Sequence, residues 1–244
     1  MKYLCDPQII PTVVPQDVAD IELYATRCSD FSTWLHVDIA DGAFAQNTTW
    51  PFVDPFQKQE LESLKGSTPR IPQSMSLEAH LMVAEPTELG EQLARVGFTR
   101  ISGHIEAFES AEHARVALDA WRSAGTKEAG IAMKIGTPLA VLENVTDVCD
   151  FIHVMSIQEI GEQGHAFDER ILSHVEEIHA LYPDMMVAVD GGVSEASVEE
   201  LVRAGANRLI IGHALADSSN PAKTYMQILE RAQKGCAPLS GVVV

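Results

Sequence analysis

The chain has 244 residues, 46% of them hydrophobic, with 17 Lys plus Arg against 35 Asp plus Glu and a formal net charge of −18. The length suits one large α/β domain or two small ones, and the composition suits a globular protein with ample core. The acidic balance argues against nucleic acid or an anionic membrane surface as a partner, since both need basic patches, and no run of about 18 apolar residues offers a membrane span. An anionic substrate would meet repulsion unless its site were locally positive, a need that a divalent cation would partly meet.

Short apolar runs alternate with amphipathic stretches from end to end. The first residues, Met1-Lys2-Tyr3-Leu4-Cys5-Asp6-Pro7, lack the apolar stretch of a secretory signal. Residues 9–14 read as the first strand, followed by a helix over 17–27. Residues 34–40 form the second strand. A longer polar segment from Phe44 to about Ser76 is expected to hold a short helix near 56–64. Residues 77–83 give the third strand, followed by a helix from Pro86 to Val96 with Gly97 at its end. The fourth strand spans 100–106 and its helix 111–124, stopped by Gly125. The fifth spans 130–135, and residues 138–144 open its helix. The sixth spans 151–157 with a helix over 168–181. The seventh spans 185–190 with a helix from Ser194, as cap, to Ala204. The eighth spans 208–212, before a last helix over 221–232. Cys5, Cys28, Cys149 and Cys236 show neither metal-type pairing nor disulfide-scaffold density. Free thiols in a cytoplasmic protein are therefore expected.

Eight strand–helix alternations fit an α/β fold of the (β/α)8 TIM-barrel type as a single domain over 1–234, with 235–244 as a C-terminal tail. A doubly wound open sheet would carry a glycine-rich turn after the first strand, and residues 12–17 contain no Gly.

The second strand ends in His36-Val37-Asp38-Ile39-Ala40-Asp41-Gly42. Residues two apart in a strand point the same way, so His36 and Asp38 face one side together, as half of a metal site would. A lone His-x-Asp also fits a hydrogen-bonded core histidine. His80 and Asp190 end two later strands, and in a barrel all four groups fall at the carboxyl end where chemistry sits. Glu78, His80 and Met82 share a strand face. Asp190 precedes Gly191-Gly192, where the backbone can approach a ligand, although a carboxylate there also forms turns. Two histidines and two carboxylates suit Zn2+, Fe2+, Mn2+ or Co2+ without choosing among them. Such a cation would polarise a carbonyl, and two carboxylates from separate strands would act as acid and base on opposite faces of a carbon.

These motifs carry a resemblance. Ile10-Pro11-Thr12, His36 to Gly42, His80-Leu81-Met82, His104-Ile105-Glu106, Thr137-Pro138-Leu139, Val154-Met155, Asp190-Gly191-Gly192-Val193 and Gly205-Ala206, in this order, make the chain similar to the ribulose-phosphate 3-epimerase family. The resemblance implies a metal-dependent (β/α)8 enzyme that moves a proton at C3 of D-ribulose 5-phosphate to give D-xylulose 5-phosphate through a metal-stabilised cis-enediolate. It implies Asp38 and Asp190 as the two catalytic acid–base groups, and His36, Asp38, His80 and Asp190 as metal ligands. Met82 and Met155 would cap the planar intermediate, each being equally readable as core filling. A homo-oligomer is also implied, without the number of subunits.

The chain departs from the family pattern in several places. The family's serine on the first strand is Thr12, and its methionine within the second-strand motif is Ala40. The Asn-Pro-Gly-Phe-Gly-Gly-Gln loop that helps hold phosphate is replaced by residues 158–167, which keep Gly161, Gln163 and Gly164 but add Glu159 and Glu162. The Gly-Ser after the last strand is Gly212-His213. Backbone amides at Gly161, Gly164, Gly191, Gly192 and Gly212 would still bind phosphate, and a protonated His213 would add a charge-assisted contact. Lys134 stands where the family commonly has Asn, and reads as either a site cation or a surface lysine. His113, His174 and His179 are expected to face solvent. His153 reads as a core or supporting group, and His104 and Glu106 as a supporting polar contact. Two other functions stay open: a 3-epimerase of another ketose (a ketohexose 6-phosphate or an unphosphorylated sugar), and a metal- or sugar-binding protein without catalysis.

Overall fold

Parallel strands with buried β-branched and leucine side chains follow one another in chain order until the last pairs with the first. In the computed structural model, which describes residues 5–53, 69–161 and 164–236, the strands are β1 (Gln8–Val13), β2 (Trp34–Ala40), β3 (Ser76–Met82), β4 (Phe98–His104), β5 (Glu128–Met133), β6 (Phe151–Met155), β7 (Met186–Asp190) and β8 (Arg208–Ile211). They form a closed barrel, with β1 paired to β8 from Gln8↔Arg208 to Pro11↔Ile211. This is the TIM-barrel architecture the alternation predicts.

The helices are α1 (Val18–Cys28), α2 (Pro86–Arg95), α3 (Ala111–Ala124), α4 (Arg170–Leu181), α5 (Val198–Ala204), α6 (His213–Ala216) and α7 (Pro221–Lys234). Local chemistry sets their ends. Asp17, Ser110 and Asn220 accept the backbone N–H three residues on, at the starts of α1, α3 and α7. Pro86 and Pro221 open α2 and α7. Gly125 at φ 125° and Gly205 at φ 118° stop α3 and α5 in a region that glycine adopts without strain. Outward strand residues such as Leu35, Val37, Ile39, Leu81, Ile131, Val189 and Leu209 are fully buried against the helix layer. Each such side chain contributes about 1.5–3 kcal/mol of transfer free energy.

Several expectations are corrected. After β5 the helix that residues 138–144 are expected to open is a 3-10 helix, Leu139–Asn144, and no α-helix continues it before β6 among the described residues. The helix expected from Ser194 starts at Val198: Ser194 instead accepts the N–H groups of Ser197 and Val198 in a preceding turn. The thiols are not all free. Cys5 and Cys236 form a disulfide across 231 residues of sequence, joining the segment before β1 to the end of α7. Cys28 and Cys149 remain thiols, pushed up by burial to about 11 and about 12. The helix expected near 56–64 lies outside the described residues, as does most of the tail. No helix among the described residues is long and apolar enough to cross a membrane.

Candidate active site

The inward-facing parity of the strands puts polar groups in the barrel's upper interior. β2 supplies His36 and Asp38, β3 supplies Glu78 and His80, β4 supplies Ser102 and His104, β6 supplies His153, and β7 supplies Asp190. Asp38 is the register partner of His80, and Met155 that of Asp190. Asp38 Oδ1 lies 3.0 Å from His80 Nδ1 and 3.3 Å from His36 Nε2. Asp190 Oδ2 lies 3.4 Å from His80 Nδ1, 3.4 Å from His153 Nε2 and 3.8 Å from His36 Nε2. Thr12 Oγ1 donates to Asp38 Oδ2 at 2.9 Å, so the hydroxyl that replaces the family's serine orients a carboxylate. The four residues chosen from sequence are therefore brought together.

Outer partners hold these rings. His36 Nδ1 donates to Glu78 Oε1 at 2.6 Å, and Glu78 is held in turn by Arg100. His80 Nε2 lies 2.9 Å from His104 Nε2, and His104 Nδ1 lies 3.2 Å from Glu106 Oε2. His104 and Glu106 thus make the supporting polar contact expected of them. Burial disfavours charge throughout. At His36 and His80 the neighbouring carboxylates outweigh it and raise the imidazole pKa, at His36 well above the ordinary range. Asp38 and Asp190 are lowered despite burial, because imidazoles surround them, while their mutual repulsion opposes ionisation at Asp38. Glu78 is lowered to about 2 against its burial by His36 and Arg100. Burial pushes His104 and His153 down to about 4, assisted at both by the charge on His80. The carboxylate pair thus attracts positive charge to one point.

That point suits a cation. His36, His80, His153 and Asp190 each offer a ligand atom, all within 4.8 Å of one another and all buried. His36 Nε2 and His153 Nε2 are buried with no hydrogen-bond partner among the described residues, an arrangement a divalent ion would satisfy. His153, read from sequence as a core or supporting group, is buried beside Asp190 and is among the residues that could hold an ion. The available signal was its shared strand face with Met155.

Above the cluster opens a cleft of about 160 Å³, and among the described residues Asp38 and Asp190 are the carboxylates that line it. Met82 and Met155 line it as well and pack with Ala40, Ala45, Ile157, Ile160 and Phe44 in an apolar cap. The other wall carries Gly161, Gly164, Gly191, Gly192 and Gly212, with His165 and His213. Gly192 has φ 63°, and a Cβ there would stand 2.7 Å from the Phe167 amide nitrogen, so the wall requires a bare backbone. Asn47 Nδ2 donates to the Gly161 carbonyl at 3.1 Å, tying the loop after β2 to the loop after β6. His213 is exposed and 3.2 Å from Asp217. Lys134 Nζ sits 4.0 Å from the Phe44 ring centroid, in a cation–π contact. Glu159 is exposed, and Glu162 and Gln163 lie outside the described residues.

A (β/α)8 enzyme whose strand ends gather imidazoles and two carboxylates beneath an apolar cap is the class that fold and site define together. Residues 8–216 match the Ribulose-phosphate 3 epimerase family. Ribulose-phosphate 3-epimerase from Synechocystis sp. is 31% identical over 78% of this chain and 78% of that one. The Mycobacterium bovis protein of the same name is 30% identical over 96% and 95%. Among solved structures, 3-hexulose-6-phosphate synthase from Salmonella typhimurium has a TM-score of 0.66 over 93% of this chain and 99% of that one, at 13% identity, a likeness of fold alone. The chain belongs to the ribulose-phosphate 3-epimerase family, and it is an isomerase acting on carbohydrates.

Proposed function

We propose that this protein epimerises D-ribulose 5-phosphate at C3 to D-xylulose 5-phosphate, with Asp38 and Asp190 exchanging protons on opposite faces of the carbon. The observation that carries the reading is that these two carboxylates, from β2 and β7, are the ones lining the cleft among the described residues. Each is buried and held toward its carboxylate form by adjacent imidazoles, so each is suited to take the C3 proton from its own face; in the proposed exchange the carboxyl on the opposite face returns a proton it has taken up beforehand. Thr12 holds Asp38 in place for this exchange.

His36, His80, Asp38 and Asp190 would hold a divalent cation (Zn2+, Fe2+, Mn2+ or Co2+). When bound, it would supply Lewis-acid stabilisation of the charge that develops on the C2 and C3 oxygens. Met82 and Met155 exclude water from the flat carbon skeleton. The backbone amides of Gly161, Gly164, Gly191, Gly192 and Gly212 would receive the phosphate, with His213 at the rim. Ala40 is fully buried among Phe44, Ala45 and Ile160, so the smaller residue is packed around and does not itself argue for a larger sugar.

The test is kcat/KM for D-ribulose 5-phosphate beside a ketohexose 6-phosphate and an unphosphorylated ketose. The pentulose phosphate is expected to be turned over fastest. A higher value for either of the others would overturn the substrate assignment.

A further inference from the structure

We propose that His153 is a direct ligand of the metal centre, sharing the ion with His36, His80 and Asp190. This rests on the metal-dependent reading of the site above and concerns ligation, not turnover.

Distances place His153 among the donors. Ligand atoms about 2.1 Å from a shared ion stand roughly 3.0 to 3.4 Å apart in octahedral or tetrahedral arrangements. His153 Nε2 is 3.4 Å from Asp190 Oδ2, as near as His80 Nδ1 at 3.4 Å and nearer than His36 Nε2 at 3.8 Å. Its ring centroid stands 4.2 Å from that of His80 and 5.4 Å from that of His36. The three rings converge on one carboxylate oxygen.

The outer contacts of the rings agree with this. A ligating histidine donates its other ring N–H to an outer acceptor, which leaves the inner nitrogen bare. Glu78 takes the Nδ1–H of His36. Glu106 Oε2 lies 3.2 Å from His104 Nδ1 and His104 Nε2 lies 2.9 Å from His80 Nε2, so the outer nitrogen of His80 is engaged and its Nδ1 faces Asp38 and Asp190. Ser102 Oγ lies 3.3 Å from His153 Nδ1, so the outer nitrogen of His153 has a polar partner and its Nε2 faces Asp190. Among the described residues, His153 Nε2 is buried with no hydrogen-bond partner, as is His36 Nε2. A merely supporting histidine would spend that nitrogen on a partner. Three imidazole nitrogens also bias the centre toward Zn2+ or Co2+ and away from oxygen-preferring Mn2+.

The experiment is Co2+ loading of the metal-free protein without substrate, read by absorption and by NMR in H2O. Three exchangeable imidazole N–H resonances shifted by the paramagnetic ion are expected, from His36, His80 and His153. Two such resonances would overturn the proposal while leaving a two-histidine site intact, and this count needs no variant. In His153→Leu, one resonance is expected to vanish and the Co2+ affinity, by chelator competition, to fall at least about 10-fold. Unchanged affinity and spectrum in that folded variant would overturn the proposal. Failure of the unaltered protein to bind Co2+ would overturn it together with the metal-dependent reading.

Discussion

Glu78 stands between the site and a buried charge ladder: one oxygen accepts from His36 Nδ1 at 2.6 Å and the other is held by Arg100. Arg100 also reaches Glu128 Oε1 at 3.1 Å and lies 3.7 Å over the Trp34 ring, and Arg208 Nη2 reaches Glu128 Oε2 at 2.6 Å. The barrel interior beneath the site is thus a chain of alternating charges that fixes one ring nitrogen of His36 as donor and leaves the other for a ligand. Glu78→Gln keeps the volume and removes the charge. It is expected to weaken divalent-metal affinity 10- to 100-fold, as loss of an outer partner does. It should also lower the unfolding free energy by about 3–5 kcal/mol by leaving Arg100 short of a counter-charge. Metal titration and urea unfolding measure the two effects separately, and unchanged metal affinity would remove the positioning role.

Asp38→Asn and Asp190→Asn are expected to cut kcat by about 10²–10⁴-fold each, the range for loss of a general acid or base. The barrel itself should persist, since both side chains sit at the cleft floor and not in the helix-packed shell. Turnover within tenfold of the unaltered enzyme in either variant, alongside an unchanged circular-dichroism spectrum, would exclude that residue as a proton carrier.

The ladder also makes stability depend on pH. Burial opposes ionisation of Glu128, but Arg208 and Arg100 outweigh it and lower its pKa from 4.5. A carboxylate lowered on folding stabilises the native state above its unfolded pKa, and that contribution is lost as pH falls through the folded value. Glu128→Gln should therefore be less stable than the parent at pH 7, with the gap shrinking below about pH 4.5. Denaturant midpoints from pH 7 to pH 3 give the comparison. A constant gap would show that the side chain acts by packing instead of charge.

Gly192→Ala puts a Cβ 2.7 Å from the Phe167 amide nitrogen and 2.8 Å from the His165 carbonyl oxygen, at φ 63°. The left-handed backbone alone costs about 1–2 kcal/mol for alanine. The wall proposed to receive phosphate must shift, so KM for the phosphorylated ketose should rise several-fold and inhibition by inorganic phosphate should weaken. Equal phosphate inhibition in both proteins would place the phosphate elsewhere.

Much of the barrel was legible because outward strand positions are apolar and period-two parity does not depend on long-range contacts. The same parity marked His36, Asp38, His80 and Asp190. The sequence reading began the fourth and fifth strands two residues late, at Arg100 and Gly130, where the structure begins them at Phe98 and Glu128. Only closure of the barrel brings Arg100, Glu128 and Arg208 together as partners inside it. His153 lies deeper than Met155, as its place on the strand implied, but its closeness to Asp190 was not legible. Its depth relative to Asp190 is set by the β6–β7 register, in which His153 faces Ala188 while Met155 faces Asp190, and a single strand does not reveal that stagger. Cys5 and Cys236 offered no local signal at all, because β1–β8 closure alone makes the two chain ends neighbours.

The central claim is proton exchange at C3 of a pentulose phosphate, and NMR in D2O with metal-loaded protein and D-ribulose 5-phosphate tests it most directly. Deuterium at C3 appearing together with D-xylulose 5-phosphate is the predicted result. No deuterium at C3, with the metal bound and the barrel folded, would contradict it.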